Sequence, residues 1–380
     1  MKFIDLFCGI GAFHTALKQL DSDNECVFAS EIDKWAIDTY KKNYKINCNY
    51  DITKVDEKDI PAHDILCAGF PCQPFSNAGH KKGFTDTRGT LFFEIERILK
   101  YHRPKYIILE NVKHLVKHDN GNTYKVIMNS IRKLGYITTK EPLIISPHQL
   151  GVPQNRERLF IVGIHKQYID SDYIKIEMPK ESKIKNIYEI LDETADAKYN
   201  ISKYEEMVLT AWNEFKINLQ HFSTPVLFDE FGQTYDYSHF PLWKQKYCEK
   251  NRKLYLENKE FIDEWAEKYR VKDFKLRDRK FEWQAGTYVD TVWDCLIQLR
   301  QSGIRCKKPD YFPTLVAMVQ TPIIGKYKRR MTPREVARLQ SFPDTFIYNK
   351  DLHQAYKQFG NSANIDIIKY LASQLLVDIL

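Results

Sequence analysis

At 380 residues the chain can hold two domains, or one large domain with an insertion, and it is too long for a small disulfide-stapled scaffold. Hydrophobic residues make up 43%, charged residues 28% and aromatic residues 13%, which supplies an ordinary core and excludes a disordered chain. The net charge of +7 is unevenly spread: residues 181–240 carry 5 Lys/Arg against 11 Asp/Glu, whereas 241–340 carry 23 against 13. A basic block of this kind suits a nucleic-acid contact surface and equally suits a solvated face.

No stretch approaches the roughly 20 apolar residues of a membrane span. The N-terminal MKFIDLFCGIGAF lacks a basic segment and a cleavage site, so the expectation is an intracellular, cytoplasmic protein with no membrane partner. Cysteines stand at 8, 26, 48, 67, 72, 248, 295 and 306, with no paired C-x-x-C spacing. They read as reduced thiols, and no metal is expected.

In chain order, KFIDLF, ECVFAS, DILCAG, KYIILEN and RLFIVGI are short, β-branched or aromatic runs typical of buried parallel strands. FHTALKQL, DKWAIDTYKKNY, TLFFEIERILKYH and YKVIMNSIRKLG lie between them with helical spacing. The alternation predicts a doubly wound α/β domain over the first 165 residues. From about residue 180 the chain is aromatic and charged with no assignable period. Regularity returns at TPREVARLQSF, where Thr332 can cap a helix that Pro333 opens, with Glu335 three residues after the cap. NIDIIKYLASQLLVDIL reads as an amphipathic terminal helix.

Three features at the N-terminal end suit a nucleotide. Gly9 and Gly11 follow a strand and precede a helix, allowing close backbone approach, although the full G-x-G-x-x-G fingerprint is absent. Glu31 ends the second strand, where an acid can accept ribose hydroxyls, and Asp51 closes an expected third strand, within reach of an adenine amine. Either acid could instead be a simple helix cap.

Residues 69–79, GFPCQPFSNAG, place Cys72 between Pro71 and Pro74 just beyond a strand end. The prolines fix backbone angles and remove amide donors, making a stiff loop that presents a thiol. Together with its neighbours the loop resembles the DNA cytosine-5 methyltransferases, of the compact prokaryotic restriction-modification type. FIDLFCGIGAF is similar to their cofactor loop, GFPCQPFS to their nucleophile loop, ENV at 110–112 to their acid motif and QNRER at 154–158 to their paired arginines. RRMTPREVARLQSFPDTF and QFGNSANIDIIKYL resemble the family's last two blocks, so the resemblance covers about residues 1–165 and 311–380.

The resemblance implies a Rossmann-like, doubly wound methyltransferase fold with a smaller target-recognition domain. Residues 1–180 would be the catalytic and cofactor-binding domain, 181–350 the target-recognition domain and hinge, and 351–380 a segment returning to the first. It also implies methyl transfer from S-adenosylmethionine to C5 of a flipped-out cytosine, leaving S-adenosylhomocysteine. Cytosine C5 is a poor nucleophile until a thiolate adds at C6, and Cys72 would supply that thiolate. Glu110 would contact N3 and the exocyclic amine, Arg158 the cytosine O2, and Arg156 would brace the Cys72 and Glu110 surroundings, with Asn111 and Gln154 bracing the loops. Arg156 and Arg158 alternate along an expected strand and so share a face.

Phe7, Gly9, Ile10, Gly11, Glu31, Ile32, Asp51, Ile52, Pro71, Leu91, Asn361 and Ser362 would line the cofactor site. Residues 73–90 resemble the family's mobile catalytic loop, with Gln73, Ser76, Lys81, Lys82 and Arg88 toward DNA. Thr314 and Leu315 match the threonine-leucine pair that closes the recognition region. Within that region Arg277, Arg279, Lys280, Arg305, Lys307 and Lys308 are candidates for groove or phosphate contact, each equally readable as a surface charge.

The expected partner is double-stranded DNA, acted on by a monomer, with a cognate restriction endonuclease acting separately. A tRNA cytosine-5 methyltransferase shares the same motifs, but the long region before Thr314 favours a duplex read in its major groove. A catalytically dead binding protein is opposed by the intact Cys72, Glu110 and Arg158. A dinucleotide oxidoreductase is opposed by the incomplete glycine fingerprint.

Overall fold

The computed structural model describes residues 1–71, 91–180, 183–219, 222, 225–315 and 321–376. The chain divides into two compact units, one of Met1–Lys185, Thr314–Val319 and Val336–Leu380, the other of Asn186–Pro313 and Gln320–Glu335. Residues 336–350, which the sequence analysis groups with the recognition region, therefore pack with the first unit.

The first unit is built on strands β1 (Lys2–Leu6), β2 (Glu25–Ser30), β3 (Ile65–Gly69), β4 (Tyr106–Val112), β5 (Tyr136–Thr138), β6 (Leu143–Ile145) and β7 (Arg158–His165). The sheet order is β2-β1-β3-β4-β7-β5, with β6 also on β7. Helices α1 (Ala12–Leu20), α2 (Lys34–Tyr44), α3 (Leu91–His102) and α4 (Asn122–Lys133) connect the strands. Ile4, Leu6, Leu66, Ala68, Ile107 and Leu109 meet Ile95, Ile98, Leu99, Ile127 and Ile131 in one core, which accounts for the apolar strand runs and the helical stripes between them.

β1, β2, β3 and β4 are parallel, as expected, but β7 runs antiparallel to β4, β5 and β6. An apolar run carries no sign of its direction. Residues 146–157 return the chain from β6 to β7 without a helix crossing the sheet, and such a connection produces antiparallel neighbours. The third strand expected before Asp51 is reduced to one bridge, Glu31 to Asn49, and Asp51 instead caps a short turn, Ile52–Lys54.

The second unit holds α5 (Lys203–Asn218), β8 (Val226–Leu227), α6 (Leu242–Glu257), α7 (Lys259–Tyr269), β9 (Lys280–Gln284), β10 (Leu296–Arg300), β11 (Gly303–Lys307), β12 (Ile323–Ile324) and β13 (Arg329–Arg330). The sheet order is β13-β12-β10-β11-β9-β8, with β9 parallel to β11 and the other pairs antiparallel. Its core is aromatic. Trp212 stacks on Phe281 with centroids 4.8 Å apart and touches Trp265 and Phe215, while its indole N–H donates to the Asp278 carbonyl at 2.9 Å. Satisfying that polar handle lets so large a ring be fully buried.

Helix α8 (Pro333–Leu339) starts as the sequence predicts: Thr332 Oγ1 accepts the Glu335 N–H at 3.2 Å and Glu335 accepts the Thr332 N–H at 2.7 Å. α9 (Leu352–Asn361) and α10 (Ile365–Leu375) then complete the first unit, α10 packing on α1 and Lys357 pairing with Asp33 at 2.7 Å. Among the described residues no helix is long and apolar enough to cross a membrane.

Candidate active site

The turn from β1 to α1 is shaped by Phe7, Gly9 and Gly11, which lie in the left-handed region at φ 56°, 54° and 86°. Phe7 occupies a conformation costly for a side chain, held by packing of its ring on the first unit's core. A Cβ at Gly9 would meet nothing within 4 Å, so this position faces open space. One at Gly11 would lie 2.3 Å from the Tyr44 ring, so that glycine is needed for packing, and Tyr44 also donates to the Gly11 carbonyl at 2.9 Å. Ile10 is buried beneath the turn.

Glu31 pins this turn. Its Oε2 accepts the Gly9 N–H at 2.9 Å, and its Oε1 accepts the N–H groups of Ile32 and Asp33 at 2.8 and 2.9 Å. The carboxylate stays partly exposed and retains lone pairs for a ribose hydroxyl. Beside it, Ile32 is 73% exposed, an apolar side chain lying open where a flat base could cover it. Asp51 is partly exposed and accepts from the Thr53 hydroxyl at 2.7 Å, which holds its carboxyl below the usual range.

Sequence reasoning missed the clamp behind Asp51. Arg97 on α3 donates to Glu94 at 2.6 Å, to Glu57 at 2.7 Å and to the carbonyls of Ile52 and Val55 at 2.6 and 2.8 Å, fixing the turn that carries Asp51 and the buried Ile52. Leu91, partly buried, opens the same helix. An arginine on the inner side of an amphipathic helix is the only sequence signal for this role.

β3 and β4 bring the next group together. Glu110 is in register with Gly69, and its Oε2 would sit 3.7 Å from a Cβ placed there, three residues before Cys72. Burial raises the Glu110 pKa, opposed by the positive charges of Arg158 and Arg156. Arg158 Nε lies 3.3 Å from Glu110 Oε1. Asn111 donates to the Phe70 carbonyl at 2.9 Å, bracing the approach to exposed Pro71. Cys72 itself, and Gln73, Ser76, Lys81, Lys82 and Arg88, lie outside the described residues.

Arg156 does not share β7 with Arg158; the strand starts at Arg158 and Arg156 precedes it. Its guanidinium is buried and donates to the carbonyls of Leu315 at 2.7 Å, Gly360 at 2.7 Å and Ser362 at 3.0 Å. Burial lowers its pKa to about 9, still high enough to keep the charge at neutral pH. Thr314 donates its hydroxyl to the Asn155 carbonyl at 2.7 Å and is exposed, whereas Leu315 is buried. Gln154 is fully buried, and among the described residues neither of its side-chain polar atoms has a partner. Asn361 is exposed and Ser362 buried at the end of α9.

The family model for C-5 cytosine-specific DNA methylases matches residues 1–376. The chain belongs to this family. It is 37% identical over 99% of its length to the Type II methyltransferase M1.ScrFI of Lactococcus lactis subsp. cremoris, covering 78% of that protein. It is 36% identical to M.NlaX of Neisseria lactamica, over 98% of this chain and 96% of that one. Its fold matches the methyltransferase EhMeth of Entamoeba histolytica with a TM-score of 0.61 at 18% identity, covering 100% of this chain and 99% of that one.

As a C-5 cytosine methylase the chain has a mixed sheet whose parallel half ends at Phe7–Gly11, Glu31 and Gly69–Pro71, all on one rim. Glu110 joins them from β4, next to β3. That rim is where ligands bind in open α/β sheets. Among the described residues no group of three or more His, Cys, Asp or Glu is arranged to hold a metal ion.

Proposed function

We propose that this methylase transfers a methyl group from S-adenosylmethionine to C5 of a cytosine flipped out of a short, specific duplex DNA sequence, with S-adenosylhomocysteine as product. The observation that carries the reading is the Glu110–Arg158 pair beside the end of β3: a carboxyl whose pKa is raised by burial, held by a cation and next to Gly69, which precedes the motif cysteine by three positions in the chain. Open space over Gly9, the Glu31 carboxylate and exposed Ile32 fit the amino-acid, ribose and adenine parts of the cofactor. Bound there, it supplies an electrophilic methyl group.

The protein's own groups prepare the base. The Cys72 thiolate adds to C6, and the electron pair of the C5–C6 bond becomes available at C5. Glu110, whose pKa burial raises, donates a proton toward N3 as negative charge develops, and Arg158 holds O2. After methyl addition a base removes the C5 proton, the C5–C6 double bond re-forms and the thiolate leaves. A stacked cytosine is covered on both faces, so the nucleotide must swing out, at a cost of about a few kcal/mol.

The similarity to Type II methyltransferases supports a role as the modification partner of a separately acting restriction endonuclease in a prokaryotic cytoplasm. The second unit supports duplex DNA over tRNA, since it supplies a sheet and three helices beyond the methylating fold. The test is a duplex carrying 5-fluorocytosine at the methylated position. Fluorine cannot leave as a proton does, so one strand should remain on Cys72 in a denaturant-resistant complex that needs S-adenosylmethionine. No complex at a verified target, or a complex at another cysteine, would overturn the mechanism.

A further inference from the structure

The second unit presents a polar sheet face that its aromatic core does not use. Along β9, Phe281 and Trp283 turn toward the aromatic core, so Glu282 and Gln284 turn away. In register, Arg305 on β11 lies opposite Glu282, Lys307 opposite Gln284, and Gln298 on β10 opposite Arg305. Most strand faces of this sort are diffuse mixtures of solvated charge. This one is organised about a single carboxylate.

Glu282 accepts Arg305 Nε at 2.8 Å and Nη2 at 3.0 Å side-on, and Arg300 Nη2 at 2.6 Å. One carboxylate thus serves two guanidiniums, with Lys307 close by. The crowding is electrostatically costly: burial, Arg305 and Arg300 all push the Lys307 ammonium below its ordinary pKa, and Arg300 Nε is buried without a partner among the described residues. Three other basic candidates of this region are already engaged. Arg277 pairs with Asp278 at 3.2 Å, Arg279 with Asp229 at 3.1 Å and Lys308 with Asp310 at 3.1 Å.

The side-on grip has a geometric consequence. A guanidinium has five N–H donors in one plane. Glu282 occupies Nε–H and one Nη2–H of Arg305, and the end-on edge, one N–H from each Nη, is left without a partner among the described residues while the side chain is 24% exposed. That edge matches the O6 and N7 acceptors of guanine in a major groove. Because the carboxylate has already fixed the plane, little side-chain entropy is lost on docking.

We infer that Arg305, oriented by Glu282, is a specificity-determining residue that reads a guanine of the methylation site. The inference rests on the reading of the chain as a duplex-DNA methylase and gives that reading a named base contact. A surplus of two positive charges over Glu282 on this face also suits a polyanion.

The experiment uses the full chain with S-adenosylmethionine on a random-sequence duplex library, with methylated cytosines located by bisulfite sequencing. The unmodified enzyme defines the motif and the penalty for each altered base. Arg305→Gln should lose about 5- to 150-fold of discrimination at one guanine, with penalties at other positions kept. Glu282→Gln should loosen the same position less, because the guanidinium remains but is no longer held. S-adenosylhomocysteine affinity and melting temperature, read alongside, verify folding, and Arg305→Lys, which keeps the charge but not the fork, should relax the same position if Arg305→Gln does not fold.

A uniform fall in rate with every base penalty intact would make Arg305 a phosphate contact and overturn the inference. An unchanged profile, or a motif with no guanine other than the one paired with the target cytosine, would overturn it too. Failure of the unmodified enzyme to methylate any duplex is a different result: it removes the DNA-methylase reading itself.

Discussion

Arg156 Nη2 donates to the Gly360 carbonyl at 2.7 Å, joining residues 204 positions apart. Its other bonds, to the carbonyls of Leu315 and Ser362, make one buried cation the meeting point of three segments of the first unit. Arg156→Met should leave three buried carbonyls without donors and cost about 3 kcal/mol or more, seen as a lower urea midpoint. Arg156→Lys should recover part of the stability, since an ammonium reaches fewer acceptors in that geometry. A midpoint unchanged in Arg156→Met would show that the clamp contributes nothing.

Glu110→Gln should lose about 10²- to 10⁴-fold in single-turnover methylation while DNA and cofactor still bind, because an amide cannot supply a proton to N3. The same substitution has a pH signature. Glu110 has a folded pKa raised by burial, so its contribution to stability is fullest below the ordinary value of 4.5 and is lost as pH rises through the folded value. Glu110→Gln lacks this loss and should therefore gain on the parent as pH rises through that window, followed by denaturant titration at several pH values. A stability difference independent of pH would mean that the carboxyl is not perturbed.

How much of this was legible depends on what kind of signal each feature leaves. β1 to β4 and α1 to α4 each bury a continuous or periodic apolar set, which can be seen in a string of letters. The direction of β7 cannot, because period carries no polarity. In the second unit α6 buries only Cys248, Asn251 and Leu254, too narrow a stripe to stand out, and β8, β12 and β13 are two residues each. Glu110 and Arg158 were findable as motif residues. The partners of Arg156 and Arg97 are largely backbone carbonyls, and a carbonyl leaves no trace in side-chain identity.

In the second unit Glu335 is fully buried and accepts from both Nη atoms of Arg329, at 2.7 and 2.9 Å, and from the N–H groups of Thr332 and Asp192 at 2.7 and 2.8 Å. A buried ion pair is a weak source of net stability, but losing one partner strands the other. Glu335→Gln should therefore cost about 3–5 kcal/mol by chemical denaturation. Arg329→Met combined with Glu335→Leu should cost less than either single change, since neither charge is then left buried alone. A strictly additive double variant would contradict this coupling.

The glycines of the first turn separate ligand approach from packing. Gly9 has φ 54° and open space where a Cβ would project, so Gly9→Ala should fold with a loss of only about 1–2 kcal/mol, the ordinary cost of a left-handed alanine. If the cofactor lies against this backbone, the added methyl occupies the space it needs, and S-adenosylhomocysteine affinity should fall by about tenfold or more, equivalent to at least about 1.4 kcal/mol. Gly11→Ala should behave in the opposite way. Its Cβ would lie 2.3 Å from the Tyr44 ring, whose hydroxyl is tied to the Gly11 carbonyl and to Thr15, so the ring cannot simply swing aside. The melting temperature should drop further than for Gly9→Ala, and replacing Tyr44 by Ala in the same chain should return part of it by removing the clash. Thermal melts and calorimetric titration with S-adenosylhomocysteine measure both effects on the same samples. A Gly9→Ala protein that melts slightly low yet binds the ligand as tightly as the parent would place the cofactor elsewhere than over this turn.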